Sequence, residues 1–282
     1  MCAAVKPSDN DEFSRAQREW DQINVLPILQ VDSQLVIDTD AVFNDRTASL
    51  LDLETIDTYI TSLDIALELT QIKPVIEKKG FLAFLRTIFF LNPPELRMKG
   101  ERDRIFCLAL KPLDNQETIH AKFLTTIYQK LTKQPLVKCP RYGNHWEEIG
   151  FQGTDPATDL RGVGILGLYQ LLFLVLSPDT EKLANQIYAL SLDRRQQFPF
   201  CVMGTNVTQI AIQTLREGHL NKEFNKRGQS VLRLFNLFYA GLYYKLYQKW
   251  KLGNKTIADA GYVLKGKSRS TALYIACICL TL

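Results

Sequence analysis

Histidine is scarce in this sequence. Only His120, His145 and His219 occur, far apart in the chain. The six cysteines, Cys2, Cys107, Cys139, Cys201, Cys277 and Cys279, fall in no CxxC or zinc-ligand spacing. A metal site needs several such donors at defined spacing, so no metal and no cofactor are expected. Long hydrophobic runs are also missing. The most apolar stretch, Phe81 to Leu91, has Arg86 in its middle. It falls short of the roughly 20 residues that a spanning helix requires, and reads as a buried core helix. The polar opening, MCAAVKPSDNDEFSRAQ, does not have the form of a secretory signal. Free thiols in a reducing cytoplasm are therefore the default, and Asn206-Val-Thr208 and Asn254-Lys-Thr256 carry no weight as glycosylation sites. Few stretches alternate with period two, which argues against a sheet. No internal repeat and no low-complexity tract occurs.

Charge is present in ordinary amount but unevenly placed. The net charge is +4. Residues 1–70 hold 14 Asp/Glu and 4 Lys/Arg, a balance of −10, and the remaining residues hold 16 and 30, a balance of +14. The basic part could face an acidic partner surface or make peripheral contact with an anionic membrane; a solvated helical exterior accounts for it more simply. Nucleic-acid binding is not expected, because the cations are scattered along helical patterns with no recognition motif.

Helical periodicity dominates after the first 45 residues. Leu53, Ile56, Ile60, Leu63 and Leu67 step by three and four. Ile119, Phe123, Ile127 and Leu131 step by four, Leu183, Ile187 and Leu190 follow Thr180, and Val231 to Trp250 carries a stripe over several turns. Each pattern lays one apolar face along a helix. Prolines such as Pro112, Pro156, Pro178 and Pro199 punctuate the segments. The expected fold is all-α: one irregular bundle of about seven to nine helices. The division is a mostly disordered acidic arm over 1–45, with short structure near Val25–Val36, a helical domain over 46–265 with its core at about 115–265, and an apolar tail over 266–282.

Two motifs imitate nucleotide sites. Gly261-Tyr-Val-Leu-Lys-Gly266-Lys267-Ser268 fits the phosphate-loop expression, yet its interior is bulky and no strong strand leads into it. Gly162-Val-Gly164-Ile-Leu-Gly167 fits a dinucleotide fingerprint, but a turn precedes it where a strand is needed. Gly164 and Gly167 read better as a helix face that lets another backbone come close. The final Cys279-Leu-Thr-Leu282 has the outline of a prenylation box, with Thr281 a poor fit.

The informative segment is His145-Trp-Glu-Glu-Ile-Gly-Phe-Gln-Gly-Thr-Asp-Pro-Ala-Thr-Asp-Leu-Arg-Gly-Val-Gly-Ile-Leu-Gly-Leu168. Trp146, Ile149 and Phe151 flank glycines and are expected to anchor a loop. Asp159 or Thr158 is expected to cap a following helix, with Arg161 in its first turn. An arginine there opposes the helix dipole, but stands where guanidinium and N–H groups converge on an anion. Alternatively, Arg161 pairs with Asp155, Asp159 or Glu148 and locks the loop.

This stretch resembles the signature of the ELMO domain. The match runs through Trp146, Ile149, Gly150, Phe151, Gln152, Gly153, Asp155, Pro156, Thr158, Asp159, Arg161, Gly162, Gly164, Leu166, Gly167 and Leu168. Leu160 stands where the pattern more often has Phe. Likeness continues through Gln197–Cys201, Asn206–Ile212 and Lys255–Tyr262, and stops at Gly266. Similarity to the short, single-domain ELMO proteins implies a GTPase activator whose partner is a GTP-bound Arf-like or other Arf-family small GTPase. In that resemblance Arg161 is the catalytic arginine and the rest of the signature forms the partner-binding loop. The setting it implies is cytoplasmic, with the cytoskeleton, actin-rich projections or cilia as candidate sites. Long ELMO proteins, which scaffold GTPase exchange factors without catalysis, are the alternative.

Overall fold

The computed structural model describes residues 50–73, 96–134, 140–227 and 230–265. The arm over 1–45, Phe81–Leu91 and the tail over 266–282 with Cys279 lie outside those residues. Among the described residues there are ten α-helices, three 3₁₀ turns and no strand; the all-α class is as the periodicity predicts, with more helices than the seven to nine expected.

Helix α1 (Leu53–Ser62) starts where Asp52 Oδ1 accepts from the Thr55 N–H at 2.7 Å. It buries Ile56 and Ile60. The stripe expected to continue to Leu67 breaks here: Leu63 turns out of the helix at ψ 133°, and Asp64 Oδ1 accepts from the Ala66 N–H. That turn resets the phase, and Leu67, in the one-turn α2 (Ala66–Leu69), is 68% exposed. Helices α3 (Leu96–Leu110) and α4 (Thr118–Thr132) follow. In α4, Phe123, Ile127 and Leu131 point inward, and Lys133 closes the helix in the left-handed conformation.

The centre is α5 (Gly164–Leu176). Its sequence, GILGLYQLLFLVL, has no charged residue, and every side chain but the last is buried. A helix apolar on all sides must be surrounded. Accordingly α5 packs against α1, α3 and α4 and against three later helices: α6 (Glu181–Ser191), α7 (Phe200–Arg216) and α9 (Val231–Leu252). The short α8 (Asn221–Arg227) lies between α7 and α9. At the start of α9, Glu101 Oε2 of α3 accepts from the Val231 N–H at 2.7 Å and from Ser230 Oγ at 2.9 Å. A capping box of Thr256 and Asp259 leads into α10 (Ala260–Lys265).

Both nucleotide-like motifs lose their context. Gly261 lies within α10, so the strand-to-loop entry that a phosphate loop requires is absent there. Gly162 follows a 3₁₀ turn instead of a strand. Gly164 does admit another backbone, that of α3, whereas Gly167 faces the side chains of Val163 and Leu160. Among the described residues no helix is long and apolar enough to cross a membrane, and no cluster of His, Cys, Asp or Glu is arranged to hold a metal.

Candidate functional site

The signature segment folds as a 3₁₀ turn (Asn144–Ile149), a loop, and a second 3₁₀ turn (Pro156–Leu160) that leads to α5. Trp146 pins it. The indole is fully buried, donates from Nε1 to the Arg141 carbonyl at 3.0 Å, and meets Tyr128 and Phe151 edge-on. Ile149 and Phe151 are buried beside it. Gly150 is held at φ +81°, and a Cβ there would lie 2.2 Å from the Phe200 nitrogen. Its carbonyl accepts from the Val202 N–H at 3.0 Å. The loop is therefore pressed against the first turn of α7 at a point where only glycine fits.

The three carboxylates expected near Arg161 are all engaged elsewhere. Glu148 Oε2 accepts from Tyr128 Oη at 2.8 Å. Asp159 Oδ2 accepts from the Gln152 N–H at 2.6 Å. Asp155 Oδ1 caps the second 3₁₀ turn through the Ala157 N–H at 2.9 Å and forms an ion pair with Arg141 Nη1 at 2.7 Å. The ion pair stands off hydrogen-bond alignment, since Nη1 has no aligned acceptor. Arg141 was not evident from the sequence. It is 1% exposed, donates from Nε to Asn115 Oδ1 at 2.8 Å, and stacks over Tyr142. Its only local signal is its place in a Pro-Arg-Tyr-Gly turn just ahead of the signature.

Arg161 itself is exposed and makes no hydrogen bond or ion pair with another described residue. Its position differs from the expectation. It follows the second 3₁₀ turn and precedes α5, with φ −58° and ψ 126°, instead of lying in the first turn of an α-helix. Neither Thr158 nor Asp159 caps α5; its N-cap is Val163, without a side-chain bond. Thr158 Oγ1 donates to the Asp155 carbonyl instead. The start of α5 is also closed to an anion, because the Ile165 N–H donates to the Lys111 carbonyl at 2.9 Å. Gly164 permits this contact: at φ +50°, a Cβ would lie 2.4 Å from that oxygen. Arg161 therefore faces outward without help from helix N–H groups.

The remaining signature residues divide by burial. Trp146, Ile149, Gly150, Phe151, Pro156 and Gly164 are buried and build the loop. Gly153, Thr158 and Gly162 are exposed with Arg161, while Gln152, Asp155 and Asp159 are half-buried. Behind the loop, burial raises the Cys201 thiol well above its ordinary range, with a smaller contribution from the Asp159 charge. Cys201 is thus a neutral core side chain, unsuited to nucleophilic work.

The ELMO/CED-12 family pattern matches residues 103–264. ELMO domain-containing protein 3 from Homo sapiens is 40% identical over 256 residues, covering 90% of this chain and 64% of that protein. The Mus musculus protein of the same name is 38% identical over 259 residues, covering 91% of this chain and 65% of its own length. ELMO domain-containing protein B from Dictyostelium discoideum is 31% identical over 174 residues, 59% of this chain and 60% of that protein. The chain thus spans just under two thirds of these mammalian relatives. No solved structure matches.

Proposed function

Since this chain belongs to the ELMO/CED-12 family, we propose that it accelerates GTP hydrolysis by an Arf-like or related small GTPase, with Arg161 supplied in trans as the catalytic arginine. The observation that carries this reading is an exposed arginine with no ion pair to another described residue, on a loop whose neighbouring carboxylates are already engaged. Holding three acids away from a nearby guanidinium leaves its charge available to an incoming anion. In phosphoryl transfer, negative charge develops on the transferring group and the leaving oxygen. A guanidinium placed there supplies roughly 10³–10⁵ in rate, or about 4–7 kcal/mol.

The test is single-turnover hydrolysis by a panel of GTP-loaded Arf-family proteins, with and without this chain. Arg161→Ala and Arg161→Lys are both expected to abolish the acceleration, because lysine offers a point charge where a planar fork is needed. Both are expected to melt with the unsubstituted protein. Binding of the GTP-loaded partner should fall only modestly, since the arginine acts mainly in the transition state. Arg233→Ala is the control, as Arg233 is exposed and pairs with Asp179. Arg216 is less suitable: it is half-buried, binds the Lys73 carbonyl and stacks over Phe106. Binding without acceleration by any member of the panel would favour the scaffold reading.

A further inference from the structure

We infer that Arg141 is a positioning residue that sets the turn bearing Arg161. This inference rests on the proposed role of Arg161. Arg141 is the most deeply buried cation among the described residues; the next, Arg102, is 8% exposed. A buried guanidinium is tolerated only where partners offset its desolvation, and the partners here come from separate segments. Nε binds Asn115, in the connection between α3 and α4. Nη1 pairs with Asp155, at the start of the second 3₁₀ turn. The guanidinium lies 4.7 Å from the Tyr142 ring centre, and the residue's own carbonyl receives the Trp146 indole.

Asp155 passes this constraint on to Arg161. Its carboxylate caps Ala157, and its carbonyl accepts both the Thr158 N–H and Thr158 Oγ1. The turn it initiates spans five residues and is followed at once by Arg161. Asp159 ties the far end of the turn to Gln152. Both ends of a single 3₁₀ turn are therefore fixed by carboxylates, and one of these is held by a buried cation. A planar fork reaches Asn115 through Nε and Asp155 through Nη1, a spread and fixed orientation of donors that a compact ammonium does not offer. Displacing a catalytic group by about 1 Å can cost on the order of 10²-fold in rate, so a strut of this kind acts on turnover more than on partner affinity.

The experiment compares Arg141→Met, Asp155→Asn and Arg161→Ala with the unsubstituted chain. Amide hydrogen exchange is read over residues 155–161 and over α5, and single-turnover hydrolysis is read at saturating and subsaturating activator. Arg141→Met and Asp155→Asn are expected to speed exchange in 155–161 by about tenfold or more while α5 keeps its protection. The saturated rate should fall roughly 10–100-fold, with the half-saturating concentration within about a factor of two. General destabilisation would do the reverse, lowering the folded fraction and raising the half-saturating concentration. Arg161→Ala should lose acceleration with its exchange unchanged. Unaltered exchange over 155–161 in both other variants, or an unaltered saturated rate, overturns the inference. If Arg141→Met does not fold, Asp155→Asn carries the test alone. If Arg161→Ala keeps full acceleration, the arginine assignment fails by itself, and the exchange measurement still judges Arg141.

Discussion

At the scale of single residues, the signature loop depends on one large side chain and one missing one. Trp146 fills the space between Tyr128 and Phe151 and satisfies a buried carbonyl. Trp146→Ala removes both, and is expected to cost about 3–5 kcal/mol in urea unfolding. Gly150→Ala adds a single methyl group, yet places it against the Phe200 nitrogen and the Pro199 carbonyl carbon, with φ still positive. Backbone cannot yield as a side-chain tip can, so a loss on the order of 3 kcal/mol is expected, read as a lowered melting midpoint. Gly153→Ala makes the contrast, because its φ is also positive but a Cβ there would meet nothing within 4 Å. It should lose only the smaller conformational share, roughly 1 kcal/mol.

At the scale of elements, α5 carries one oddity. Gln170 is fully buried, and among the described residues neither of its amide atoms has a hydrogen-bond partner. An unpartnered buried amide loses its water without compensation. Gln170→Met keeps the length and removes the polar atoms, and is expected to raise stability by about 1 kcal/mol, or roughly 2–4 °C in midpoint. Most of the other helices were readable from sequence because one face is apolar and the opposite face is wet; the stripes of α4, α6 and α9 follow that rule. The boundary of α5 was not readable. Its start is set by Gly164 meeting the Lys111 carbonyl, a contact between distant segments that leaves no local signature. Arg161 was consequently assigned to an α-helix when it precedes one. The buried Arg141–Asp155 pair was invisible for the same reason, since an arginine in a turn has the same appearance whether solvent or a carboxylate receives it.

At the scale of the whole molecule, two histidines make stability depend on pH. His120 is 1% exposed, between Tyr59 Oη and the Asp114 N–H, and burial lowers its pKa. Burial likewise lowers that of His145. Both are held neutral in the fold, while the unfolded chain takes up protons near the ordinary value of about 6.5. Stability is therefore complete above roughly pH 6.5 and is lost as pH falls below it toward the lowered folded values. The unfolding free energy from urea titrations at stepped pH should decline through that window by up to about 1.4 kcal/mol per pH unit per histidine, and His120→Gln should flatten the slope. If it leaves the slope unchanged, His120 is not a source of it.

The central helix also has a history to contend with. Being apolar all round, α5 is covered both by α1, α3 and α4, which precede it in the chain, and by α6, α7 and α9, which follow. A ribosome delivers them in that order, so α5 emerges well before α9, which also packs against it, is made. For that interval a greasy helix stands half-clothed. The nascent chain should therefore bind a chaperone for hydrophobic segments most strongly after α5 has emerged, and release it once α9 is complete.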